Sequence, residues 1–173
     1  ERWFIHSCYC CPPQVARTIA KMNRLAYGKT DNTVWVHIFG SNRLETEVSK
    51  GFLVLEQQTD YPWDGNIKII IQHAPSKPFT LNLRIPAWAQ NTELYINEEN
   101  IEVIPGTYVS VNRQWKAGEI LNLLIPMETE LISSNPKLEQ NINQVAVVRG
   151  PLVYCVEEID LDKDVNLEEI YIP

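Results

Sequence analysis

The chain has 173 residues, 45% of them hydrophobic and 21% charged, and a formal net charge of −7. That length buries a core without disulfide support, and the longest apolar runs, such as Ile69-Ile70-Ile71, are far too short to span a bilayer. No basic stripe is present to neutralise phosphates, so the balance describes a soluble globular protein with a neutral ligand, neither a nucleic-acid binder nor a membrane protein.

The first residue is Glu1 rather than Met, and Glu1-Arg2-Trp3-Phe4-Ile5-His6 reads as the interior of a longer protein. Any targeting segment would then lie upstream, so the sequence assigns no compartment. Cys8, Cys10 and Cys11 cluster near the start while Cys155 stands far away, which is not the spacing of a disulfide framework. From Pro12 to about Tyr27 the apolar residues Val15, Ile19, Met22 and Ala26 recur at steps of four, three and four, which predicts one amphipathic helix. Pro12 and Pro13 suit its first turn, and Gly28 is expected to stop it.

After Asn32 the pattern turns extended. Strands are predicted over 33–39, 43–48, 51–57, 66–73, 79–85, 93–97, 107–112, 119–125, 144–149 and 152–157, with Asp64-Gly65 as a hairpin turn. The clearest is Phe79 to Ile85, where Phe79, Leu81, Leu83 and Ile85 alternate with Thr80, Asn82 and Arg84. Short strands with turn punctuation and no helices between them predict a mainly β fold, an antiparallel β-sandwich preceded by one helix. The segment 157–169 is an acidic tail, and 171–173 is expected to begin another strand.

Cys8-Tyr9-Cys10-Cys11-Pro12-Pro13 places thiols at a helix start, where unpaired N–H groups and the helix dipole favour thiolates. Thiolates bind zinc, but a zinc site takes about four ligands and adjacent cysteines seldom supply more than two of them. His6 or Cys8 could add a third. The residues alone leave three readings open: a metal site, a nucleophile, or reduced, half-buried cysteines with no chemistry. Cys155, beside Val153 and Val156, is expected to be a small core residue.

Five ordered motifs narrow this choice. Trp3-Phe4 followed by Cys8-Tyr9-Cys10-Cys11-Pro12-Pro13-Gln14-Val15-Ala16-Arg17 resembles the Cys-x-Cys-Cys-Pro-Pro-Asn-x-x-Arg segment of glycoside hydrolase family 127. Downstream, Leu83-Arg84-Ile85-Pro86-Ala87-Trp88, Arg113-Gln114-Trp115-Lys116-Ala117-Gly118-Glu119, Ile125-Pro126-Met127 and Val148-Arg149-Gly150-Pro151-Leu152-Val153-Tyr154 are similar to further segments of that family, in the same order. Gln14 departs from the family's Asn, and the interval from Trp3-Phe4 to Cys8 is longer than the family's.

The resemblance implies an enzyme with an (α/α)6 barrel followed by β-sandwiches, which releases terminal β-L-arabinofuranose with retention through a zinc-bound cysteine nucleophile. It marks Cys10 as nucleophile and zinc ligand and Cys11 as a second zinc ligand. The remaining ligands and the acid/base Glu belong to the upstream barrel. On this reading residues 1–29 are the last helix and cysteine motif of the barrel, 30–160 a β-sandwich domain, and 161–173 a tail or the start of another segment. The chain alone is expected to be inactive and to bind zinc weakly, with its partners being the upstream barrel and the carbohydrate substrate. The apolar face of the helix is expected to stand exposed or to drive self-association. The alternative is a non-catalytic carbohydrate-binding or structural β-sandwich.

Among the aromatics, Trp35, Trp88 and Trp115 are expected in or capping the core, whereas Trp63 in Tyr61-Pro62-Trp63-Asp64-Gly65 is the exposed candidate for sugar stacking. The acid pairs Glu45/Glu47 and Glu98/Glu99 read as surface charge, and His37 and His73 as satisfied polar or core residues. Neither a phosphate-binding loop nor a nucleophile elbow is present.

Overall fold

A computed structural model describes residues 10–162, 164–166, 170 and 172. Its first element is helix α1, Cys11–Leu25, with prolines in the first turn, where their missing N–H groups cost nothing. The helix stops two residues earlier than the periodicity predicts. Ala26 is buried, and its carbonyl accepts the backbone N–H groups of His37 and Ile38, so pairing with a later segment outweighs another helical turn. Gly28 is no helix cap. It sits in strand β1, Tyr27–Lys29, where a Cβ would come 2.6 Å from Nε2 of His37.

The sandwich follows. Strands β1, β2 (Thr33–Val36), β6 (Phe79–Arg84) and β9 (Tyr108–Arg113) form a four-stranded sheet in the order β1-β2-β6-β9. The facing sheet runs β3-β4-β5-β10-β7-β8, built from β3 (Asn42–Val48), β4 (Gly51–Thr59), β5 (Asn66–His73), β7 (Glu93–Ile96), β8 (Glu99–Ile101) and β10 (Ile120–Leu124). Alternation puts Val34, Val36, Leu81 and Leu83 of the first sheet against Leu55, Ile67, Ile69, Ile71, Leu121 and Leu123 of the second, all at most 2% exposed. The predicted mainly β sandwich preceded by one helix is therefore present. Its pairing is antiparallel except between β2 and β6, which run parallel.

Three local expectations change. The β4–β5 connection is a six-residue loop, not a two-residue turn at Asp64-Gly65, and Asp64 closes it by accepting the Asn66 N–H at 2.6 Å. Strands β1, β8 and β11 (Thr129–Ser133) were not anticipated by the pattern. Cys155 is exposed rather than in the core, because β11, β12 (Val145–Arg149) and β13 (Leu152–Tyr154) form a separate three-stranded sheet with no buried residue.

Candidate functional site

Cys10 and Cys11 open α1. Cys10 itself has helical angles, φ −70° and ψ −41°, and its carbonyl accepts the Gln14 N–H at 3.3 Å as the first intrahelical bond. Both cysteines are exposed, with their sulfurs 3.8 Å apart, too far for a disulfide. Two sulfurs each about 2.3 Å from a tetrahedral zinc stand about 3.8 Å apart, so this spacing and the soft donor pair fit two ligands of one zinc. Behind them Arg17 Nε donates to the Pro13 carbonyl at 3.3 Å and Thr18 Oγ1 to that of Gln14 at 2.9 Å. Among the described residues, no group of three or more His, Cys, Asp or Glu side chains gathers around a common point. Cys8, His6 and the Trp3-Phe4 part of the first motif lie outside the described residues.

The other four motifs are clasps of the fold. Trp115 is 2% exposed and donates its Nε1–H to the Phe79 carbonyl at 3.2 Å. The Arg113 guanidinium lies 5.4 Å from the centre of that indole and pairs with Glu119 at 2.7 Å. The Glu119 carboxylate, itself buried, also accepts the Lys116 backbone N–H at 2.7 Å and the Asn97 side-chain amide at 3.0 Å. One buried acid thus fixes the turn after β9 to the β7–β8 hairpin. Arg149 donates to the Trp63 carbonyl at 2.9 Å, and Gly150 adopts φ +57° where a side chain would meet Met127 and Trp88. This junction ties the third sheet to the sandwich.

The remaining expectations have clear positions. Trp63 is 67% exposed, while Trp35 and Trp88 are half-buried. Nδ1 of His37 is 2.7 Å from the Tyr108 hydroxyl and Nδ1 of His73 is 2.9 Å from the Phe52 carbonyl, so both rings are engaged. Glu45 and Glu47 share the outward side of β3, Glu45 paired with Arg43 at 2.9 Å, and Glu98 and Glu99 are exposed at the β7–β8 turn. Sequence reasoning passed over a row of outward polar residues on the six-stranded sheet, Gln58, Lys68, Asn122 and Tyr95, which only the strand register brings together.

Comparison with known proteins gives these features a context. Residues 33–127 match the family described as β-L-arabinofuranosidase, GH127 middle domain, and residues 129–173 match the glycoside hydrolase family 127 C-terminal domain. A non-reducing end β-L-arabinofuranosidase of Bifidobacterium longum subsp. longum is 33% identical over 91% of this chain and 24% of its own length. A solved glycoside hydrolase superposes with a TM-score of 0.85 at 37% identity, covering 93% of this chain and 27% of that one. A GH127 β-L-arabinofuranosidase from Geobacillus stearothermophilus superposes at 0.83 and 37% identity, over 96% of this chain and 26% of its own. The chain thus spans about a quarter of the length of these relatives. With residues 33–127, more than half of the chain, matching the middle domain and residues 129–173 the C-terminal domain, the chain belongs to glycoside hydrolase family 127.

Proposed function

We propose that this chain is part of a retaining glycosidase acting on terminal β-L-arabinofuranosides, with Cys10 as nucleophile and Cys10 and Cys11 as two zinc ligands. The observation that carries the reading is the pair of exposed thiols 3.8 Å apart at the start of α1, in a chain of family 127. In the first step the Cys10 sulfur bonds to the anomeric carbon as the glycosidic C–O bond breaks. The electron pair leaves on the aglycone oxygen, which takes a proton from a carboxylic acid. Water then displaces the sulfur from the same carbon, giving its proton to that carboxylate, and two inversions leave net retention. Zinc, when bound, would hold the sulfur as a thiolate in fixed orientation. Cys11 keeps the second donor adjacent, and α1 sets the direction of both.

The acid/base carboxylate and the other ligands belong to the rest of the protein, so the isolated 173 residues are inactive and bind zinc weakly. The runner-up, a sandwich without catalysis, has no use for two thiols at a helix start.

The test is turnover of an aryl β-L-arabinofuranoside by this chain and by the longer protein that contains it. In the longer protein, Cys10→Ser lowers kcat by at least about a thousandfold, and Cys11→Ser lowers zinc content together with rate. Robust turnover by the isolated chain, or retained activity in Cys10→Ser, would sink the assignment.

A further inference from the structure

The outer side of the six-stranded sheet carries a line of residues set by the register. Gln58 faces Lys68, Lys68 faces Asn122, Asn122 faces Tyr95, and Tyr95 faces Asn100, one residue from each of β4, β5, β10, β7 and β8. At a strand spacing of about 4.8 Å the line is about 19 Å long. Along it lies a groove of about 560 Å³, which meets a second of about 420 Å³ at Asn66 and Leu124. The second runs past Asp64 to Arg149, next to Trp63, whose side chain is 67% exposed and whose carbonyl Arg149 holds. The Tyr95 ring lines the first groove, and exposed Trp63 adjoins the second through its neighbour Asp64 and its hydrogen bond from Arg149.

The chemistry of this lining selects its occupant. Among the described residues, the side chains of Lys68 and Asn122 have no hydrogen-bond or ion-pair partner, so donors and an acceptor are available on the floor. Leu124, 37% exposed, and half-buried Pro126 and Met127 add apolar area of the kind that receives the ring face of a sugar, interrupted by the polar side chains around it. Lys68 and Arg149 are balanced by Glu98, Asp64 and Glu93, so no cationic field would gather phosphate or sulfate. Amides with aromatic platforms and no net positive charge match an uncharged, hydroxyl-rich chain, which offers both hydrogen-bonding edges and apolar ring faces.

We infer that this channel is a non-catalytic subsite for an uncharged oligosaccharide, with Tyr95 and Trp63 as platforms and Gln58, Asn66, Lys68 and Asn122 as its hydrogen-bonding floor. It uses no residue of the cysteine pair and stands or falls independently of the catalytic proposal.

The experiment is NMR titration of the 173-residue chain with an arabinan-derived pentasaccharide, with a heparin-derived oligosaccharide of similar length as the anionic control. The expected result is saturable shifts at Lys68, Tyr95 and Asn122 with the uncharged probe alone. Tyr95→Ala and Trp63→Ala each weaken that binding about tenfold, whereas Tyr95→Phe and Trp63→Phe, which keep the rings, stay within about twofold of the parent. Unchanged far-UV circular dichroism in each variant excludes misfolding as the cause. Absence of binding at millimolar saccharide, preference for the anionic probe, shifts confined to α1, or undiminished binding in the Tyr95→Ala/Trp63→Ala double variant would each overturn the assignment.

Discussion

Tyr27 shows how much one side chain can hold. Its hydroxyl donates to Oδ1 of Asn42 and accepts from Nε2 of Gln57 at 2.6 Å, linking β1 of one sheet to β3 and β4 of the other. Gln57 is 1% exposed, so an unsatisfied amide there has no water to turn to. Tyr27→Phe is expected to lower stability by about 1–3 kcal/mol in urea unfolding, since it orphans both neighbours. Burial also pushes the Tyr27 hydroxyl above its ordinary pKa of 10.0, against the smaller pull of its hydrogen bonds to Gln57 and Asn42. A raised value in the fold means that the fold holds the proton more tightly than the unfolded chain does. The associated stability is complete below pH 10.0 and is lost as pH climbs through the folded value. Stability of the parent should therefore fall above pH 10.0, and Tyr27→Phe should flatten that fall. Tyr61, likewise raised by burial with the Arg84 charge opposing, leaves a residual slope.

The elements divide sharply by what covers them. Val15, Ile19 and Leu25 on α1 are 59%, 68% and 53% exposed, whereas Ile69 on β5 is 0% exposed. Ile19→Ala should therefore change the unfolding free energy by less than about 0.5 kcal/mol. Ile69→Ala should cost about 2–5 kcal/mol by opening a cavity between the sheets. The same contrast explains what was legible in the sequence. β5 and β6 could be read to within a residue because Ile67, Ile69 and Ile71, then Phe79, Leu81 and Leu83, mark one covered face. β11 carries no such signal, since all five of its residues are exposed. β8 was hidden by its turn, in which Asn97 and Glu98 adopt φ 47° and 76° without a glycine to announce it. Cys155 was misplaced because its apolar neighbours imply a covering layer that the third sheet lacks among the described residues. The thiol pair was visible as adjacent residues in a motif. The groove was not, since Gln58, Lys68, Asn122 and Tyr95 come from four strands whose register no local pattern encodes.

On the scale of the molecule, the buried core spans residues 34 to 125, and apolar surface is left on both sides of it. Ile19 and Leu25 precede the core, and Leu131, Ile132 and Val153, the last 72% exposed, follow it. Apolar area of this kind is relieved by association, while the net charge of −7 opposes it. Sedimentation velocity is expected to show reversible self-association that grows with concentration and added salt, and that Ile19→Asp weakens. A strictly monomeric chain at high concentration, with no dye binding to exposed apolar surface, would contradict this expectation.

The parallel pairing of β2 with β6 sets an order on how the protein comes together. Between them lies all of β3, β4 and β5, an antiparallel meander that closes through short connections of its own. Contacts across so long a stretch repay their loop-closure entropy only after the intervening chain has condensed. Strand β2 is thus made early during synthesis and is expected to gain its β6 neighbour late, once the intervening meander has formed. The hairpin of β1 and β2 follows α1 directly, and the Ala26 carbonyl at the end of the helix accepts the His37 and Ile38 N–H groups just after β2. The sandwich thus acts as a clock for its own first sheet: a chain stalled before Phe79 would lack the strand against which β2 is seated.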